Sequence, residues 1–278
     1  MVEDLLTLLS SQRGVITKKE RIIAQYVLDN PEEVVHMSIT ELSELLNVGE
    51  GTIVRFCQKI GFEGFHSFKI FLAKNIPNSK GENEVLSSED ILLQIKNNHV
   101  NAIAQTYEIL RSSKDTLIEC AKLISECKRL YIIGVGASGA TGLDAYYKFM
   151  RIGVDTFFTQ DSHLAAMTLA SATPKDVLLA FSQSGSTSVI VDLAKLAKDN
   201  NTKIIAITGH KRSPLADVAD YVILTPIREA PFESGAIRSK ISQLHVLEAL
   251  FEITKQNVKE RADQYIHQTA RAVEKWIY

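Results

Sequence analysis

Cysteine is scarce: Cys57, Cys120 and Cys127 are the only three in 278 residues, and no two of them form a Cys-x-x-Cys pair. An odd number of thiols in helical, mostly apolar settings argues against a disulfide framework or a metal site and for core thiols in a reducing compartment. A secretory leader is not indicated, because the N-terminal MVEDLLTLLSSQRG carries acids where such a leader needs bases. No apolar run nears the roughly 20 residues of a membrane span, so a cytoplasmic protein is expected. Charge of one sign is also missing. With 31 Lys and Arg against 33 Asp and Glu the net charge is −2, so any nucleic-acid face must be local rather than chain-wide. There is no low-complexity segment and no solenoid repeat. The 45% hydrophobic and 23% charged residues that remain are ordinary for a globular chain of one or two domains.

The sequence changes character near residue 80. Up to about Asn75 it reads as consecutive short helices; in Lys18–Asp29, for example, Ile22, Ile23, Tyr26 and Val27 share a face before Asn30-Pro31 ends it. The polar stretch PNSKGENEVLSS reads as a linker. The expected organisation is a helical domain over 1–76, a linker over 77–88 and a second domain over 89–278. The second domain opens with a long helix over about Glu89–Arg111, Ser88 placed as its N-cap. Its apolar positions are Ile91, Leu92, Ile95, Ile103, Tyr107 and Leu110. After another helix near 116–127, apolar runs at Leu130–Val135, Thr156–Thr159, Val177–Phe181, Ile204–Thr208 and Tyr221–Leu224 alternate with helical stretches. Continuous apolar strands separated by helices predict a doubly wound parallel sheet in a three-layer α/β domain. A long helical region from about Ser239 ends the chain.

The first functional signal lies in SITELSELLNVGEGTIVRFCQKIGF. Ser38 can cap a helix with core face Ile39, Leu42, Leu45 and Leu46, and Glu41 completes a capping box. After a short turn at 47–50, a helix over about 51–60 turns Ile53, Phe56, Cys57 and Ile60 inward. Thr52, Arg55 and Lys59 then form an outward stripe, with Gln58 beside it and Lys69 following. Arg can pair bidentately with guanine, Gln can read adenine, and Lys and Thr can hold phosphates. Two helices joined by a tight turn match a helix-turn-helix; a helical bundle with a solvated polar face would show the same spacing. The stretch from Ser38 to Leu72 resembles RpiR-type regulators through Thr52-Ile53-Val54-Arg55-Phe56 and Gly61-Phe62-Glu63-Gly64-Phe65 with Lys69. That resemblance implies operator DNA as partner. Gly49 departs from the family's usual serine, and Gly51 likewise replaces a better helix former, which weakens the start of the second helix.

Two strand-to-helix junctions carry the second signal. One is Gly136-Ala137-Ser138-Gly139; the other is Ser182-Gln183-Ser184-Gly185-Ser186-Thr187. Small hydroxyl residues and glycines at a helix N-terminus suit a phosphate, although tight turns rich in N-cap residues look alike. Residues 134–139 also spell Gly-x-Gly-x-x-Gly, the dinucleotide fingerprint, with Asp161 downstream as a ribose ligand. That reading leaves the second hydroxyl cluster unexplained. Read with the second loop, about 114–255 resembles the SIS (sugar isomerase) domain. The resemblance implies that Ser138, Ser182, Ser184 and Thr187, with Gly136, Gly185 and Ser186 around them, hold a sugar phosphate, and that Glu233 reaches a sugar hydroxyl or amine.

Some SIS proteins are isomerases that move protons with a carboxylate and a histidine. Glu233, His163, His210 and His245 are the candidates, His210 expected in solvent and His245 packed in a helix. No pair has a telling spacing, and a DNA-binding domain favours sensing over turnover. The expectation is a transcriptional regulator without cofactor, metal or catalytic residue. A sugar phosphate controls its affinity for a palindromic operator, and it assembles as a homo-oligomer, dimer or tetramer. An aldose–ketose phosphosugar isomerase with a helical appendage is the alternative.

Overall fold

The computed structural model describes residues 17–75, 87–226, 237–274 and 276. They fall into two compact units, the division lying after Ile95.

The first unit is helical: α1 (Lys18–Asp29), α2 (Pro31–His36), α3 (Ile39–Leu46), α4 (Glu50–Lys59) and α5 (Phe65–Asn75). Capping boxes start α1, through Thr17 and Glu20, and α3, through Ser38 and Glu41. Pro31 opens α2, where its missing N–H is harmless. The core gathers Ile23, Val27, Val34, Leu42, Ile53, Phe56 and Phe68. Ile22 and Leu45, expected inside, are 49% and 53% exposed. Each lies one position off its helix's buried stripe, which a short helix keeps narrow.

In the second unit lie most of α6 (Ser88–Ser112), then α7 (Lys114–Glu126), β1 (Leu130–Gly134), α8 (Gly136–Arg151), β2 (Thr156–Phe158), α9 (Ser162–Leu169), β3 (Val177–Phe181), α10 (Ser188–Asp199), β4 (Lys203–Thr208), α11 (Pro214–Val218), β5 (Tyr221–Leu224), α12 (Ile237–Asn257) and α13 (Lys259–Glu274). Helix α6 takes in Ser88, the last residue of the expected linker, and Ser87 is the serine whose Oγ accepts from Asp90 N, at 3.1 Å. Of the apolar positions expected to pack in α6, only Leu110 is buried; Ile91, Leu92, Ile95, Ile103 and Tyr107 are exposed.

All five strands are parallel, in the order β2-β1-β3-β4-β5. One face is covered by a core including residues of α7, α8 and α12, the other by a core of residues from α9, α10 and α11. This is the three-layer doubly wound arrangement. Central strands β1 and β3 are buried throughout, as expected of strands covered on both sides. None of the described helices is long and apolar enough to cross a membrane.

Candidate functional site

Strands β1 and β3 are neighbours, with Gly134 paired to Phe181. The chain leaves β1 for α8 on one face and β3 for α10 on the other. A crevice outside the carboxyl ends of strands at such a reversal is where open α/β sheets bind ligands. Both expected hydroxyl loops flank it, at one level of the sheet.

Neither α8 nor α10 has a side-chain cap hydrogen bond, whereas Asp161 caps α9 and Ser213 caps α11. The open helix ends leave first-turn N–H groups and a partial positive charge to an incoming anion. In the second loop the Ser182 and Thr187 hydroxyls lie 3.3 Å apart, Ser184 is exposed, and its Oγ accepts from Ser186 N at 3.2 Å. Gly185 takes φ +61°, and a Cβ there would collide with Ser213. Its carbonyl accepts from Leu215 N at 2.9 Å, which pins the loop to α11. Gly136 also has positive φ, +57°, with open space where a Cβ would stand.

A buried residue absent from the sequence expectation joins the loops. Gln243 of α12, 1% exposed, donates from Nε2 to Ser138 Oγ at 3.1 Å and to Gln183 Oε1 at 3.4 Å. Its Oε1 accepts from Thr141 at 3.3 Å. Thr225 donates to Gln183 Oε1 at 3.0 Å. With a lone pair of Ser138 taken by Gln243, the serine's own O–H is turned toward donation. The sequence signal for Gln243 is an amide in the otherwise apolar and small stripe Ser239, Ser242, Val246, Leu250.

The dinucleotide alternative fares differently. Gly134 and Gly139 serve the close passage of β1 against α8, since a Cβ on Gly134 would stand 2.8 Å from Ser138 O and one on Gly139 would stand 2.9 Å from Gly134 O. Asp161 Oδ1 accepts from His163 N and Leu164 N at 2.8 and 3.0 Å, so the proposed ribose ligand is a helix cap. Among the histidines, His210 is buried rather than solvated, His163 is exposed on the first turn of α9, and His245 is half-buried on α12. A groove of about 470 Å³ between α9 and α10 is lined by His163, Ser188 and Asp192. Glu233 lies outside the described residues. No group of three or more His, Cys, Asp or Glu that could hold a metal occurs among the described residues. Burial pushes all three cysteine thiols up to about 12.

The helix-turn-helix pair of the first unit is α3 and α4. Asn47 ends α3 in the left-handed region at φ 50°, Val48 is buried between the helices, and Gly49 starts α4 without a side-chain cap. Thr40 donates to the Glu50 carboxylate, and Ser43 Oγ donates to Val48 O at 2.6 Å, so both helices hold the turn. On α4, Arg55 and Gln58 are exposed and Thr52 is partly so. The two expected lysines differ from these. Lys59 Nζ lies 2.9 Å from Glu20 Oε2, in a pair whose side chains are 25% and 8% exposed. Lys69 is half-buried, donates to Met37 O at 2.8 Å and sits over the Phe65 ring at 5.3 Å. Burial pulls its ammonium down to about 8. Lys59 thus joins α4 to α1, and Lys69 joins α5 to the residue that follows α2; the spacing alone could not place a carboxylate 39 residues away beside Lys59.

The model of the helix-turn-helix domain, rpiR family, matches residues 3–79, and that of the SIS domain matches residues 123–253. An HTH-type transcriptional regulator of Clostridium perfringens is 34% identical over 274 residues, 96% of this chain and 98% of that protein. The HTH-type transcriptional regulator RpiR of Escherichia coli is 29% identical over 271 residues, 95% of this chain and 90% of that protein. Among solved structures, the NanR protein of Vibrio vulnificus complexed with ManNAc-6P superposes with a TM-score of 0.87 at 27% identity, covering 98% of this chain and 99% of that one.

Proposed function

Because this chain belongs to the rpiR family of HTH-type transcriptional regulators, we propose that a sugar phosphate held between its two hydroxyl-rich loops controls the binding of its helix-turn-helix to DNA. The observation that carries the ligand reading is the pair of uncapped helix N-termini, α8 and α10, at the point where the strand order reverses. A phosphoryl group there accepts from backbone N–H groups and from Ser138, Ser182, Ser184, Ser186 and Thr187, while Gly136 and Gly185 let it approach the main chain. Glu233 is kept as a candidate for the sugar end. The presence of ManNAc-6P in the NanR complex supports a phosphorylated sugar as the ligand class.

For DNA, the reading places α4 in the major groove, with Arg55 and Gln58 at base edges and Thr52 on a phosphate. The functional division then follows the sequence: a DNA-binding domain over 1–76 and a sensor domain over 89–278. Exposed Ile103 and Tyr107 stand about one turn apart on the part of α6 that belongs to the second unit, apolar side chains suited to a subunit interface. A two-fold dimer so formed would present two recognition helices to a palindromic operator. Ligand shifts the balance between two dimer arrangements that bind DNA differently.

The relatives that match along their whole length are named regulators, and this favours sensing over turnover. Aldose–ketose conversion of a bound sugar phosphate, followed by NMR over hours, would support the isomerase alternative. The primary test is a thermal-shift screen of sugar phosphates against unphosphorylated sugars and NAD(H). A ligand that binds only the native state raises the melting temperature. The reading requires a shift with a phosphosugar that is lost in Ser184→Ala. A shift with NAD(H) alone would overturn it, and a monomer by light scattering at micromolar concentration would remove the dimer.

A further inference from the structure

The outward stripe of α4 does not end at its own last turn. Thr52, Arg55 and Lys59 recur every three to four residues and so share one side of the helix. At the far end of that side stands Glu20, which comes from the first turn of α1 and binds Lys59 through both carboxylate oxygens, at 3.2 and 2.9 Å. The ion pair places the start of α1 beside the end of the stripe and cancels the only acidic side chain of that turn. The other charged residues there are Lys18, Lys19 and Arg21. All three are exposed, and none makes an ion pair with a described residue.

These cations sit where a helix favours them least. The N-terminal turn carries the positive end of the macrodipole, so anions belong there and cations are repelled. Glu20 meets that preference, and its three basic neighbours oppose it. An anionic partner reverses the balance, because a polyanion meets the dipole and three side-chain cations together.

We propose that the first turn of α1, through Lys18, Lys19 and Arg21, docks on the DNA phosphates flanking the bases faced by α4. The inference rests on the DNA-binding reading above and deepens it. The backbone charge expected of Lys59 and Lys69 is thereby assigned to α1, and Lys59 becomes the residue that neutralises Glu20 at the DNA surface. Such phosphate-directed docking fixes register and orientation without reading sequence.

The test needs no known operator, since phosphate neutralisation dominates binding to any duplex and sets its salt dependence. A fluorescein-labelled 30-base-pair duplex of random sequence is titrated with the full-length chain over a series of NaCl concentrations. In Lys18→Ala/Lys19→Ala/Arg21→Ala the slope of log Kobs against log[NaCl] falls by about 0.9 for each phosphate that is no longer neutralised, with an unchanged far-UV spectrum. Lys18→Arg/Lys19→Arg/Arg21→Lys keeps the charges and retains the slope. If the alanine variant binds with the parent's affinity and slope while Arg55→Ala binds more weakly, the assignment to α1 is wrong and the helix-turn-helix reading stands. If the parent chain shows no salt-dependent binding to duplex DNA, both fall together.

Discussion

Gly185 and Gly136 form a natural pair for measuring what the second loop demands. Both hold positive φ, +61° and +57°, so alanine at either carries the left-handed penalty of about 1–2 kcal/mol. They differ in surroundings. Among the described residues, no atom beyond the neighbouring backbone lies within 4 Å of a Cβ on Gly136, whereas a Cβ on Gly185 would overlap Ser213 and approach Thr208 Oγ1 to 2.9 Å. Ser213 cannot readily withdraw: it is fully buried, donates to His210 O at 3.2 Å and accepts from Ala216 N at 3.3 Å as the cap of α11. Overpacking of this kind adds about 1–3 kcal/mol. Gly185→Ala should therefore destabilise the second unit by about 2–5 kcal/mol in total and Gly136→Ala by about 1–2 kcal/mol. Each kcal/mol lowers the melting temperature by about 2–4 °C in a unit of this size. Urea unfolding followed by far-UV circular dichroism, alongside thermal melts, measures both. Equal losses in the two variants would show that the loop relaxes around the new methyl group, and the packing argument would then be wrong.

Glu20 makes the first unit sensitive to acid. Burial alone would raise its carboxyl, but the Thr17 N–H and the Lys59 ammonium outweigh that and hold it below 4.5. A native value below the unfolded one means that the unfolded state binds more protons in between. The stabilisation is then complete above about pH 4.5 and is lost as pH falls through the native value. Glu20→Gln should lower stability at pH 7 by about 1–3 kcal/mol, as for hydrogen bonds to charged groups, and flatten the acid side of the profile; a parallel profile would remove Glu20 as its source. Gln243→Leu leaves the buried Thr141 hydroxyl without its acceptor and should destabilise by about 1–3 kcal/mol. It should also reduce the melting shift given by a bound sugar phosphate. An unchanged ligand response in a destabilised variant would make Gln243 a packing residue only.

What is legible in the sequence, and what is not, follows the range of the interactions. The bounds of β3 and β5 coincide with the expected ones because short apolar runs mark them locally. Strand β1 stops at Gly134 rather than Val135 because Val135 is exposed and already the N-cap of α8. Ser87 and Ser88 are adjacent, and composition does not say which will cap. Gln243 escapes a reading by spacing because its partners Ser138, Thr141 and Gln183 are 105, 102 and 60 residues away. Amphipathic spacing likewise announces an apolar side of α6, but Ile103 and Tyr107 are exposed in the folded chain. Periodicity identifies a face and leaves its partner open.

The two outer strands are short, three residues in β2 and four in β5. A parallel sheet closes through pairings distant in sequence, which form slowly and leave strands unsatisfied during synthesis. Long flat margins would then template pairing between nascent chains. Among the described residues, the short β2 and β5 limit the length of backbone that either margin could offer to such pairing. Short outer strands of this kind are one of the devices by which a sheet edge avoids pairing with another chain.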